Sequence, residues 1–355
     1  MNKFIKTEYY GFGMGLQFKD LVIKKEIAIK DLANKVLAID SMNLLYQFLT
    51  TIRAADGSAL TDSKGRVTSH LIGLFNRTTT LMENGLKLVF VFDGRAPEIK
   101  QKTWEKRTKI KTEAAKKFKQ AQEAEDLAEM RKYASRTVVL DKEMINDAKK
   151  IITALGLPIV QAPSEGEAQT AYMVKKGDAY ASVSQDYDNL IFGCPLLVRN
   201  LSIAGKRKKA GKFAFTAVKP EMISLPAVLK HLDLEIDQLI VLAILIGTDY
   251  NPGGVKGIGP KTALKLLKEH GQNYDLIIKE AGWDYDLDWK DIFHTIKEMP
   301  TTDDYKLEWK TIDREKLIKL LVKEYDFNEE RVASKLDKLG QVQNQLKQKG
   351  LGSFF

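Results

Sequence analysis

Leu86-Lys-Leu-Val-Phe-Val-Phe-Asp93-Gly94 is an apolar run, broken only by Lys87, that ends in a carboxylate. Such a run, rich in β-branched and aromatic residues and bounded by glycines, reads as a strand covered on both faces, the habit of a parallel sheet. Lys35-Val-Leu-Ala-Ile-Asp40 has the same form upstream. Between the two, Leu71, Leu74, Phe75, Leu81 and Met82 recur at helical spacing over Ser69–Asn84, and Gly85 supplies a stop. Downstream, a helical stretch at about Met144–Leu155 leads into a short strand, Gly156–Val160. Ala162-Pro-Ser164 then opens a helix running to about Lys176, and Ala179–Val183 is a further strand that ends in Ser184-Gln185-Asp186-Tyr187-Asp188. Strands alternating with helices in this way predict an α/β fold, a mixed, largely parallel twisted sheet flanked by helices. Residues 100–134, rich in Lys, Glu, Gln and Ala with few core-sized apolar positions, read as long helices projecting from the body. From about Glu235 to Lys338 the pattern is mostly helical.

The 355 residues, 44% hydrophobic, suit one large domain or two smaller ones. The longest apolar run, Leu239–Gly247, falls far short of the roughly 18 residues that a membrane span needs. No secretory signal pattern is present, so the sequence reads as intracellular, with no membrane partner. The single cysteine, Cys194, excludes an internal disulfide framework and a Cys-based zinc site, and with four histidines any metal must be held mainly by oxygen. The formal net charge is +9, and residues 100–150 alone hold 15 Lys and Arg against nine Asp and Glu. That excess favours a polyanionic partner, nucleic acid first. Lys206-Arg207-Lys208-Lys209, in a Gly-flanked stretch, reads as a turn whose charges are either solvated or part of the same surface.

Acids close the predicted strands: Asp40, Asp93, and the pair Asp186 and Asp188. Glu165 and Glu167 open a helix that follows another strand, and Asp249 closes the apolar run Val241–Gly247. Taken singly, each has a bland explanation as a loop residue or helix cap, and Ser164-Glu165-Gly166-Glu167 fits the S-x-x-E capping box. Together, five separated segments place acids at the carboxyl end of one sheet, where side chains from different strands converge on ligands. Seven ionised carboxylates cannot share a cleft without cations, because each raises its neighbours' pKa values. Two Mg²⁺ ions would supply four positive charges and prefer such oxygen ligands. A pair about 4 Å apart suits in-line displacement at a phosphate.

At this point the motifs match a known family. Ala38-Ile-Asp40-Ser-Met, Val91-Phe-Asp93-Gly94, Ala162-Pro-Ser-Glu165-Gly-Glu167-Ala, Ser184-Gln-Asp186-Tyr-Asp188 and Gly247-Thr-Asp249-Tyr250 resemble, in order and interval, the acidic motifs of the flap endonucleases. The resemblance runs from Met14 to Phe355. It implies a structure-specific 5′ nuclease that cuts near the single-strand/duplex junction of branched DNA, with two Mg²⁺ ions and Mn²⁺ able to substitute. Its setting is replication, including Okazaki fragment processing, and repair, with 5′-3′ exonuclease activity besides. The implied metal ligands are Asp40, Asp93, Glu165, Glu167, Asp186, Asp188 and Asp249. Lys100 and Arg107, two helical turns apart, are implied as the bases that polarise the scissile phosphate, from the foot of a helical arch spanning 98–140. Tyr46 matches an aromatic that stacks on a base, with a core tyrosine as the alternative, and Arg77 a DNA contact. Here Asn76 and Thr80 replace a tyrosine and a base common in the family.

Gly253-Gly-Val-Lys-Gly-Ile-Gly-Pro-Lys261-Thr-Ala263 resembles the family's helix–three-turn–helix, placed at 235–270. Gly254, Lys256, Gly257, Gly259 and Lys261 are implied to meet the DNA backbone, with K⁺ on nearby carbonyls. The end of the chain, Gln348-Lys-Gly-Leu351-Gly-Ser-Phe354-Phe355, matches the Q-x-x-h-x-x-F-F pattern by which partners bind the sliding clamp, PCNA. The sequence divides accordingly into an N-terminal extension or tag (1–13), one nuclease domain (14–340) and a clamp-binding tail (341–355). A monomer is expected, in the cytoplasm or nucleoid of an archaeon or in a eukaryotic nucleus. The rival readings are a related 5′ exonuclease and a DNA-junction scaffold without catalysis. Exonucleases of the superfamily carry a long C-terminal extension, and a scaffold would show gaps among the acids.

Overall fold

The computed structural model describes residue 16, residues 18–54, 56–100, 139–203, 205–208 and 215–351, and a few positions between 113 and 123. Arg107, Phe354, Phe355, residues 1–15 and most of the span read as an arch lie outside the described residues, and Gln348 and Leu351 are described in backbone alone.

The strands are β1 (Lys25–Glu26), β2 (Val36–Asp40), β3 (Lys87–Phe92), β4 (Ile159–Gln161), β5 (Ala181–Val183), β6 (Leu196–Arg199), β7 (Gly205–Lys208), β8 (Phe215–Val218) and β9 (Glu221–Ser224). Seven of them form one sheet in the order β1-β9-β6-β5-β2-β3-β4. From β6 to β4 every pairing is parallel; β9 runs antiparallel to β6, and β1 antiparallel to β9. The mixed, largely parallel sheet expected from sequence is therefore present. The tetrapeptide read as a turn is not: Lys206–Lys208 lies in β7, paired antiparallel with β8. A run of like charges carries no trace of backbone pairing, and only the partner strand reveals it.

The helices are α1 (Ser41–Thr51), α2 (Ser69–Glu83), α3 (Lys142–Ala154), α4 (Gly166–Lys176), α5 (Asp188–Ile191), α6 (Leu225–Leu232), α7 (Ile236–Ile246), α8 (Pro260–His270), α9 (Tyr274–Ala281), α10 (Trp289–Lys297), α11 (Arg314–Ile318) and α12 (Glu329–Leu351). Side chains alternate across a strand, so parity decides the face. Leu88, Phe90 and Phe92 of β3 join Leu37 and Ile39 of β2 in the core beneath α1, α2 and α3. Val89, Val91 and Ala38 face the other way, into the core with Ala171, Met173 and Val174 of α4. Asp40 and Asp93 continue the parity of Ala38 and Val91, so both belong to the α4 face. That step sets the site.

A third core surrounds α7, which is buried along its length from Leu239 to Ile246 and packs against α8 and α10. A helix apolar on all sides has no solvent face to offer. Residues 301–313 depart from the mostly helical reading: they form an irregular strap whose backbone bonds go elsewhere. Gln169 of α4 exchanges two hydrogen bonds with Thr302, donating to its carbonyl (2.9 Å) and accepting from its amide (2.8 Å). The Trp309 indole donates to the Leu88 carbonyl (3.1 Å) and the Lys310 amide to that of Gly156 (2.8 Å). At the far end, the α12 backbone carries helix through Leu351, into residues read as a tail.

His70 of α2 is 1% exposed. Burial lowers its pKa from 6.5 to about 4, against the pull of Asp147 and Asp141. A folded pKa below the unfolded one means stability that is present above pH 6.5 and lost as pH falls towards 4. The loss should reach about 3 kcal/mol, and His70→Phe should remove that part of the acid sensitivity in denaturant melts at pH 7 and pH 4.5.

Candidate active site

Asp40 is the last residue of β2 and caps α1. Its Oδ1 accepts from the Asn43 amide (3.0 Å) and its Oδ2 from the Ser184 hydroxyl (3.1 Å). Asp93 follows β3 and reaches across to α4, where its Oδ1 accepts from the Gly166 amide (2.9 Å). A Cβ at Gly166 would stand 2.6 Å from that oxygen, so the approach requires glycine. The expected S-x-x-E capping box is not formed. Glu165 is the N-cap without a capping bond, and the Ser164 hydroxyl donates to the Arg95 carbonyl (3.0 Å). Asp93 serves the helix end in its place, leaving Glu165 and Glu167 to face the cleft. Beyond β5, Asp186 Oδ2 accepts from the Asn43 side-chain amide (2.5 Å) and Asp188 Oδ1 from the Leu16 amide (3.1 Å). Asp249 sits just past α7.

All seven acids share one electrostatic environment. Burial, then Asp93 and Asp186, pushes Asp40 up to about 8. Asp93 is the member most open to solvent, yet surrounding atoms crowd it; that desolvation, then the Glu165 charge, raises it to about 6. Glu167 is raised well above the carboxylate range by burial and then by Asp188 and Asp40. Asp188 is raised by burial and then by Asp249 and Asp186. Into this group comes Lys100, 8% exposed, its Nζ 2.8 Å from Glu165 Oε2 and 3.1 Å from Asp249 Oδ2. Burial opposes its charge, but Asp249 and Glu165 outweigh that and hold its pKa well above a lysine's usual value.

The donors fit hard divalent cations. Every acid offers oxygen, and Glu165 Oε1 is buried with no hydrogen-bond partner among the described residues, an arrangement that is costly without a cation or water. No group of three or more described His, Cys, Asp or Glu side chains is drawn together as a ready-made cage for one ion. Among the described residues the acids instead lie close enough to perturb one another, with Lys100 paired to two of them.

The XPG N-terminal domain family matches residues 14–114 and the XPG I-region residues 156–249, which together hold all seven acids. Flap endonuclease 1 of Pyrococcus abyssi is 52% identical over 347 residues, 96% of this chain and 98% of that protein. The chain belongs to the flap endonuclease 1 family. The solved structure of flap endonuclease-1 from Methanococcus jannaschii superposes with a TM-score of 0.73 at 44% identity, over 92% of this chain and 98% of that one. The catalytic core of Rad2 in complex with DNA substrate, 21% identical over 89% and 96% of the two chains, shares the fold at 0.64.

Other residues singled out by the flap endonuclease motifs are placed as follows. Tyr46 lies half-buried on α1. Arg77 of α2 donates through Nε to the Leu201 carbonyl (2.8 Å), and burial lowers its pKa to about 10, so it braces the turn after β6. Lys256, Gly257 and Lys261 are exposed around the turn before α8, and nothing lies within 4 Å of a Cβ built at Gly257 or Gly259. Gly254 differs. Its φ is +60°, a Cβ would sit 2.4 Å from the Leu245 carbonyl oxygen, and its own amide donates to Asn251 (3.1 Å). Packing requires that glycine, and its amide is already engaged.

Sequence reasoning missed the neutral residues that hold the acids. Asn43 donates to Asp186 and accepts from the Gln185 amide (3.1 Å), tying α1 to the loop after β5. Buried Asn251 holds the Asp249 loop, accepting from the Thr248 hydroxyl (2.6 Å) and donating to the Ile244 carbonyl (2.7 Å). Their partners lie either 143 residues away or within a loop of no regular period, so neither apolar spacing nor an acidic motif could signal them.

Proposed function

We propose that this flap endonuclease family member hydrolyses a phosphodiester near the single-strand/duplex junction of 5′-flap DNA, in replication and repair. Asp40, Asp93, Glu165, Glu167, Asp186, Asp188 and Asp249 would hold two divalent cations, Mg²⁺ in the first instance. The observation that carries the reading is the convergence of these seven acids, from five segments, around one buried lysine. Bound divalent ions would supply Lewis-acid stabilisation of the charge that builds at the scissile phosphate. The chain's own part is positioning. Lys100, kept charged by Glu165 and Asp249, presents Nζ to a phosphate oxygen, and Arg107 is assigned the same task. The exposed Lys256 and Lys261, with the amides of Gly257 and Gly259 at the start of α8, would take the duplex backbone, and K⁺ would bridge there. A labelled 5′-flap duplex should be cut near its junction with Mg²⁺ present and left intact with chelator. Substrate left intact under both conditions would overturn the reading.

The enzyme would act as a monomer and dock on the sliding clamp through Gln348, Leu351, Phe354 and Phe355. The pairing of two terminal aromatics with an amide is what supports this. Deleting 348–355 should abolish clamp capture in a pull-down and leave clamp-free cleavage within about twofold; unchanged capture would end the assignment. Among the described residues no helix is long and apolar enough to cross a membrane.

A further inference from the structure

Beneath Glu167 and Asp188 lies a buried polar cluster that the reaction itself does not use. Asn189, Thr170 and Ser182 are each 0% exposed. The Asn189 side-chain amide donates to the Thr170 hydroxyl (2.9 Å), the Ser182 hydroxyl (3.0 Å) and, at 3.4 Å, the Glu167 carbonyl. Ser182 in turn donates to Thr170 (2.9 Å), and Thr170 to the Glu167 carbonyl (2.8 Å). Three elements meet here: β5 through Ser182, α4 through Thr170 one turn past Glu167, and α5 through Asn189, the residue after Asp188.

Apolar side chains of the same size would fill this space without the cost of burying hydroxyls and amides, one of which, Asn189 Oδ1, has no partner among the described residues. What an apolar filling lacks is direction. Glu167 lies in the first turn of α4 and Asp188 opens α5, so two like charges stand on neighbouring helix ends. The cluster is the neutral bond that crosses the gap, and its hydrogen bonds end on the backbone of Glu167 itself.

We propose that Asn189 is a positioning residue of the cation site, which through Thr170 and Ser182 sets the spacing of Glu167 and Asp188 so that both can act as ligands. This rests on the assignment of those two acids as ligands made above. Groups that orient ligands in this way typically change metal affinity by about 10- to 100-fold when removed.

The test is Mn²⁺ binding, by calorimetry and by loss of the free-ion paramagnetic resonance signal, on the full chain and three variants. Asp188→Ala should lose most binding. Asn189→Leu and Thr170→Val, which keep the branched heavy-atom shape and break the bonds, should bind Mn²⁺ at least about tenfold more weakly. Half-maximal flap cleavage should need correspondingly more Mn²⁺, with kcat at saturating metal within a few-fold of the parent. Either variant suffices if the other fails to fold. Weakened binding in Asp188→Ala beside unchanged affinity in the folded cluster variants would overturn the positioning role alone, making the cluster a core filling. Unchanged affinity in Asp188→Ala would overturn the ligand assignment, and the positioning role with it.

Discussion

Replacing Asp186 by alanine should slow 5′-flap cleavage by about a thousandfold, a loss of some 4 kcal/mol of transition-state stabilisation. Affinity for the flap measured in chelator should stay within a few-fold, because the DNA is held by basic surfaces rather than by this acid. The folded state should not suffer. Asp186 adds to the charge that pushes Asp40 up to about 8 and Asp188 up, so removing it relieves both, and the metal-free variant should melt no lower than its parent. Asn43 loses one acceptor, a smaller effect on a half-buried side chain. A variant that cut flaps at the parental rate would show that Asp186 is no part of the catalytic site. A variant that neither cut nor bound would indicate that Asp186 supports the fold.

Lys100→Met should cost about 10²- to 10³-fold in the rate of the chemical step, the range seen when one preorganised donor to a developing oxyanion is removed. Unlike the loss of Asp186, it should also destabilise the metal-free protein. Lys100 Nζ neutralises Glu165 and Asp249 inside a cluster of like charges. Removing one partner of a buried ion pair leaves an uncompensated charge, typically about 3–5 kcal/mol. Mg²⁺ can stand in for the lost ammonium, so it should raise the Tm of Lys100→Met more than that of the parent. Single-turnover cleavage and thermal melts with and without Mg²⁺ separate the two effects. Equal Mg²⁺ stabilisation of the two proteins would show that Lys100 does not neutralise the site.

The sheet was legible because β2 and β3 are buried on both faces, which makes them apolar runs whatever folds around them. Their terminal acids were legible only together: singly each fits a loop or a cap, and Asp40 does cap α1, but acids from five segments at one sheet end mark a site. Legibility ended where partners are distant or where backbone alone decides. Strand β7 looked like a charged turn, since its pairing with β8 leaves no mark in Lys206-Arg207-Lys208. Ser164 and Glu167 fitted a capping motif, but Asp93, from another strand, took the helix end that they would have shared. Lys100 was assigned from the resemblance as a base facing DNA; that it is buried between Glu165 and Asp249 is a fact of three dimensions. Asn43 and Asn189 are ordinary polar residues in sequence, and only the acids they hold give them meaning.

The seven carboxylates, on this reading, hold a pair of divalent ions. Crystals grown with Mn²⁺, measured at the manganese absorption edge, test it most directly. Two anomalous peaks about 4 Å apart, within bonding distance of acids drawn from Asp40, Asp93, Glu165, Glu167, Asp186, Asp188 and Asp249, are the predicted result. Peaks elsewhere on the surface, with the seven acids free of metal, would contradict the account.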